Sequence, residues 1–293
     1  MGDAGPCTLL VDNGSHRPES TLSLRRIAGA LSGEVGEVVH PVSLLHSTRA
    51  KAEDLEGVPA EIFEPFLKKR REEGGDSFLV VPLFFGHSAA IYEYLPQRVV
   101  ELRQKWPELE VRIAPCLVDI TDPGDTGVAE ILAGLVRKKI AEEKLSRPAV
   151  TLVDHGTPRK FVNDVRNFLG GQLKELLRED AVAVVASSME RRAGEEYAFN
   201  EPLLENLLGS AGFEGEVVLS MLFISPGRHA GPGGDIAEIC EAAEKRCPGL
   251  RTVMGDLFAT HPGVVPLLAR RFREGVGSAP IVAEVAPPTM AER

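Results

Sequence analysis

One phrase occurs twice in this chain and governs how it can fold. Thr8-Leu9-Leu10-Val11-Asp12-Asn13-Gly14-Ser15 returns as Val150-Thr151-Leu152-Val153-Asp154-His155-Gly156-Thr157, an offset of 154 − 12 = 142 residues. Each copy is an apolar run that stops abruptly at an Asp-x-Gly-Ser/Thr turn and passes into an amphipathic segment. That pattern is a buried strand, a tight turn and a helix start. Three further echoes follow in the same order: Phe63-Glu64-Pro65 with Asn200-Glu201-Pro202, Pro82-Leu83-Phe84-Phe85 with Ser220-Met221-Leu222-Phe223, and Thr121-Asp122-Pro123-Gly124 with Thr260-His261-Pro262-Gly263. A duplicated domain accounts for all four.

Between the echoes, short apolar runs alternate with helical patterns. Strands are predicted at 7–12, 37–45, 77–85 and 110–118, with helices near 19–31, 60–73, 89–106 and 127–142. The second half repeats the order, with strands at 149–154, 181–189, 216–224 and 250–257 and helices near 162–177, 202–208, 235–247 and 263–274. Strands alternating with helices imply parallel sheets of βαβ units, so the fold class is α/β with two tandem domains of about four strands each. The repeats are predicted at residues 1–146 and 147–293, with a linker near Glu143–Pro148 and an aperiodic tail from Ser278.

Composition narrows the partners. A net charge of 33 − 43 = −10 argues against a nucleic-acid partner and against anionic ligands unless local cations override it. No apolar run reaches the roughly 20 residues of a membrane span, and the start carries no basic leader, so a cytoplasmic setting is expected. The four cysteines, Cys7, Cys116, Cys240 and Cys247, form no C-x-x-C; they read as thiols in or near a core.

Three side chains of the second half fall just past predicted strand ends, on one rim of the sheet: His155, Glu190 and His229. Open α/β sheets place ligands at that rim. Two imidazoles and a carboxylate suit a divalent metal with open positions, and equally suit proton transfer. Singly, His155 could simply bond a carbonyl in its turn, and Glu190, beside Arg191 and Arg192, could be a solvated charge. His229 lies in Ser225-Pro226-Gly227-Arg228-His229-Ala230-Gly231, a glycine-rich loop that lets backbone approach a ligand closely. The first half holds Asn13, His46 and His87 at comparable places, with His87 its main contributor to the site. Asn is a poor metal ligand and no base, so this half reads as degenerate. His16, His40 and His261 read as surface or turn residues. Arg17, Arg159, Lys160, Arg191, Arg192 and Arg228 cluster at the rims, where they could attract a polycarboxylate.

The pairing of Leu-Val-Asp-His-Gly-Thr with Phe-Ile-Ser-Pro-Gly-Arg-His resembles the class II chelatases. Within them it is similar to the sirohydrochlorin cobalto-/ferrochelatases of the CbiX type, in the long form with two fused halves, over residues 7 to 275. The resemblance implies two flavodoxin-like domains facing across a cleft. It implies insertion of Co2+ or Fe2+ into sirohydrochlorin or a related tetrapyrrole, a lyase-type activity that uses no nucleotide. The family's paired histidines fall on His155 and His229 and its carboxylate on Glu190, with Glu195, Glu196 and Glu201 close by. These three residues would serve as metal ligands and catalytic groups, with Gly227, Arg228 and His87 contacting the tetrapyrrole. Two fused halves allow a monomer. The alternatives are a carrier that binds metal or tetrapyrrole without catalysis, and a two-lobed small-molecule binder.

Overall fold

The computed structural model describes residues 5–86, 88–231 and 233–281. Eight strands form two four-stranded, wholly parallel sheets. The first contains β1 (Cys7–Asp12), β2 (Val39–Ser43), β3 (Ser77–Pro82) and β4 (Glu110–Ile113), in the order β2-β1-β3-β4. The second contains β5 (Ala149–Asp154), β6 (Ala183–Ser188), β7 (Glu216–Met221) and β8 (Arg251–Met254), in the order β6-β5-β7-β8. The duplication read from the sequence is therefore a duplication of topology.

The first strand of each sheet is apolar on both faces because both faces are covered. Leu9, Leu10 and Val11 are fully buried, as are Val150, Leu152 and Val153. Burying each such side chain contributes roughly 1.5–3 kcal/mol. The flanking helices are α1 (Pro18–Val35), α2 (Phe63–Glu72), α3 (Leu95–Lys105), α4 (Gly127–Glu143), α5 (Lys160–Leu176), α6 (Leu204–Leu207), α7 (Asp235–Arg246) and α8 (Val264–Val276). A π-helical turn, Ala90–Tyr94, leads into α3, where the sequence predicts one continuous helix. Glu195–Asn200, expected as loop, is a 3-10 turn, and the helix predicted near 202–208 shrinks to the four residues of α6.

Packing divides the chain at other points than the duplication does. One compact unit is Met1–Leu117 with Val265–Arg293, and the other is Val118–Val264. Helix α4, the last of the first repeat, packs on α5 and β7. In the first unit, Arg271 of α8 donates to the Leu117 carbonyl at 2.8 Å, and Gly275 lies against Ala114 and Leu79. Buried Val128, Ala129, Ile131, Leu132, Leu135 and Val136 give α4 an apolar face too broad for one neighbour. The tail begins ordered: the Ile281 amide donates to Val111 at 2.8 Å; residues 282–293, which hold the rest of that tail, lie outside the described residues.

Topology fixes where a ligand can sit. In each sheet the first strand lies between the second and third, so the connections leaving the carboxyl ends of the first and third strands run in opposite directions. That divergence opens a crevice at the strand ends. In the second sheet it falls at Asp154, with Ser188 and Met221 as neighbours in register beside Asp154 and Val153.

Candidate active site at the strand ends of the second unit

The turn after β5 is shaped by one glycine. Gly156 has φ +90°, and a Cβ there would lie 1.9 Å from the Glu190 carbonyl oxygen, so only glycine fits. The Gly156 amide donates to Asp154 Oδ1 at 3.1 Å, and the Glu190 amide donates to the His155 carbonyl at 3.2 Å. His155 and Glu190 are thereby stitched together through backbone before their side chains meet.

The side chains do meet. His155 Nε2 lies 3.5 Å from Glu190 Oε1, and the His155 and His229 rings stand edge to face with centroids 4.5 Å apart. The hydrogen bonds define the tautomers. His155 Nδ1–H donates to the Gly156 carbonyl at 3.0 Å, and His229 Nδ1–H donates to Asp235 Oδ2 at 2.6 Å. A carbonyl or carboxylate oxygen accepts only, so each Nδ1 carries the proton and each neutral ring keeps its lone pair on Nε2. Asp235, the first residue of α7, is a candidate site residue that sequence reasoning missed. Its signal was the Gly-Gly-Asp helix start six residues after His229. A carboxylate behind an imidazole raises the basicity of the other nitrogen.

Behind the turn lies a polar network, also unanticipated. The Ser188 hydroxyl donates to Asp154 Oδ1 at 2.6 Å, and buried Arg166 of α5 donates to Ser188 Oγ at 2.5 Å. Burial pushes the Asp154 carboxyl above its usual range, while Ser188 and the Arg166 cation pull it back. Buried Asn200 accepts the Thr157 amide at 3.0 Å and donates to the Thr157 carbonyl at 2.9 Å.

Other expected residues fall as follows. Glu201 is paired with Arg191 at 2.8 Å, and Glu195 and Glu196 lie in the 3-10 turn. Of the four carboxylates, Glu190 is the one recorded within ion-pair distance of His155. Gly227 is held by its amide to Ala230 O at 3.2 Å, and Arg228 is largely exposed, 3.7 Å from Asp235. His87 lies outside the described residues. His46 and His16 are exposed, their ring centroids 5.5 Å apart. His40, expected at the surface, lies in β2 half-buried against the Phe66 ring. His261 is a turn residue whose Nδ1 accepts the Gly263 amide at 3.0 Å. Phe84 and Phe223 lie just past their strands and pack on the two cores. A groove of about 340 Å³ beside the site is lined by Glu190, Glu205, Asp235 and Glu238 with Arg246. Among the described residues, no three His, Cys, Asp or Glu side chains are arranged to hold a metal ion. None of the described helices is long and apolar enough to cross a membrane.

Solved structures of similar fold include chelatases and a chelatase-like protein. SirB from Bacillus subtilis with Fe3+ matches with a TM-score of 0.66 at 13% identity, covering 94% of this chain and 96% of that one. The sirohydrochlorin chelatase SirB from Bacillus subtilis subspecies spizizenii in complex with cobalt matches at 0.64 and 14%, covering 93% and 96%. A multi-domain protein from Deinococcus radiodurans, described as structurally similar to chelatases, matches at 0.62 and 18%, covering 95% of this chain and 57% of its own. At these identities the likeness defines a chelatase-like α/β fold. The second half can be placed more narrowly: residues 149–275 match the CbiX family model, a span that contains His155, Glu190 and His229. A comparison with curated protein sequences finds no match.

Proposed function

We propose that the chain is a sirohydrochlorin-type chelatase that inserts Co2+ or Fe2+ into a polycarboxylate tetrapyrrole without a nucleotide, using the strand-end site of the second half. The observation that carries this reading is the convergence of His155, His229 and Glu190, with each Nδ1 engaged by an oxygen acceptor so that Nε2 is the ring's ligand atom. Two ligand atoms bound to one ion at a tetrahedral angle stand about 3.4 Å apart. The 3.5 Å between His155 Nε2 and Glu190 Oε1 fits that separation. The CbiX match over 149–275 supports the same assignment, as do the metal-bound states of the structurally similar SirB proteins.

In this scheme His155 and His229 hold the incoming ion through Nε2, and Glu190, exposed beside His155, supplies negative charge. As the ion passes to the macrocycle, each released imidazole accepts one pyrrole proton on the nitrogen that held the metal. Two imidazoles and one exposed carboxylate, with open positions, bind the ion weakly enough to surrender it. Arg228, exposed beside Asp235, meets a substrate carboxylate, with Gly227 next to it in the same loop. Soluble turnover in the cytoplasm as a monomer is the simplest setting.

The test is insertion of cobalt and of iron into sirohydrochlorin, followed by absorbance. His155→Ala and His229→Ala are each expected to abolish insertion while the unfolding transition stays at the parent position. Insertion at the parent rate by both variants would refute the assignment. Metal binding by the parent without insertion would instead identify a carrier.

A further inference from the structure

The second half contains a buried cation that the proposed chemistry does not use. Arg166 is 2% exposed and is the bulkiest of the fully buried side chains. Besides Ser188 Oγ, its guanidinium donates to the Asn200 carbonyl at 2.8 Å, the Phe199 carbonyl at 3.2 Å and Asn167 Oδ1 at 2.9 Å. Placing a guanidinium there is costly unless its donors are satisfied. Its partners are the two segments that frame the site. Through Ser188 it reaches Asp154 and so the turn that carries His155; through Asn200 it reaches Thr157 on the far side of that turn. The helices α1 and α5 align with the offset 160 − 18 = 142, and 166 − 24 = 142 puts buried Leu24 at the same place in the first half. The half with the histidine has the arginine, and the half with Asn13 has an apolar residue.

We infer that Arg166 is a positioning residue that locks the His155 turn to the end of β6, holding the His155 and Glu190 side chains in the mutual geometry that metal transfer needs. The inference rests on the proposed function. Removing a residue that orients a metal ligand typically costs about 10–100-fold in metal affinity or activity.

The experiment titrates the full chain with Co2+ alone, followed by absorbance, and measures cobalt insertion with kcat and KM resolved. Arg166→Leu is expected to weaken Co2+ binding about tenfold and to lower kcat by a similar factor, with KM for the tetrapyrrole unchanged. Arg166→Lys is expected to recover part of both. Leu173→Ala, a core change one helical stretch away, controls for stability and should leave Co2+ affinity at the parent value. If Arg166→Leu does not fold, Ser188→Ala, which cuts the link to Asp154 alone, is read in the same way. Parent-like Co2+ affinity in these variants, or an equal loss in Leu173→Ala, overturns the positioning role. With His155→Ala inactive, that outcome leaves the chelatase reading standing; a parent-like His155→Ala removes both.

Discussion

The two strand-end turns are nearly the same object built twice, and their differences separate scaffold from chemistry. In the first half the Gly14 amide donates to Asp12 Oδ1 at 3.0 Å; in the second, Gly156 does the same to Asp154 at 3.1 Å. Both glycines have φ above +80°, and a Cβ would strike the Leu45 carbonyl in one case and the Glu190 carbonyl in the other. The Ser15 amide is capped by Ser47 Oγ at 3.2 Å, and the Thr157 amide by Asn200 Oδ1 at 3.0 Å. What changes is the side chains, with Asn13 where the second half has His155, Leu45 where it has Glu190 and Leu24 where it has Arg166, and the segment that supplies the cap. A turn maintained by backbone and hydroxyl contacts can lose every functional group and keep its shape.

The largest effect that would break this comparison is a loss of insertion from the first half. Asn13→Ala should leave cobalt insertion unchanged where His155→Ala and His229→Ala abolish it; an Asn13 variant as inactive as the histidine variants would place chemistry in both halves. The next effect should be symmetric. Gly14→Ala and Gly156→Ala each force a side chain into a left-handed residue against a backbone carbonyl, and each should cost about 3 kcal/mol or more in denaturant unfolding. Unequal losses would show that the two turns do not share one scaffold.

Smaller effects sharpen the contrast. Asp235→Asn removes the carboxylate behind His229, and Co2+ affinity should fall about tenfold by titration while the unfolding midpoint moves little. The smallest effect concerns the strand-end aspartates. Burial pushes Asp12 up to about 6, with Ser43 and the Gly14 amide opposing it. A carboxyl raised in the folded state contributes fully below its unfolded value near 3.8, and that contribution is lost as pH rises through about 6. Asp12→Asn should therefore leave stability unchanged at pH 4 and raise it at pH 8 by about 1–2 kcal/mol, allowing for partial exposure. Asp154→Asn should gain less, because Arg166 opposes the same desolvation in the second half. Urea unfolding at the two pH values checks both.

Much of the candidate site could be proposed from the sequence because strand ends are legible. The stops at Asp12 and Asp154 are sharp, so His155 could be placed at a rim, and β1 and β5 begin and end where the apolar runs do. Glu190 and His229 followed from the same logic applied to β6 and β7. Arg166 was not legible: an arginine in an amphipathic helix reads as solvated, and nothing in its neighbours along the chain says that Ser188 and the Asn200 carbonyl enclose it. Asp235 was hidden similarly, because its partner is fixed by how His229 lies against the start of α7, where the Ile236 amide donates to the His229 carbonyl at 3.3 Å.

By itself the sequence determined that there are two α/β units of one topology, that the candidate site of the second lies at its strand ends, and that the turn after the first strand carries His155 in the second half where the first has Asn13. Those properties are local, set by hydrophobic period, turn chemistry and repetition. Only the tertiary structure decided which helix covers which sheet and which side chains close around the histidines. The broad apolar face of α4 shows that it must be buried but not against what, and the answer is α5 and β7 rather than the sheet that precedes it in the chain. Hydrophobic burial has no direction, so an amphipathic face specifies that a partner exists and leaves its identity to packing.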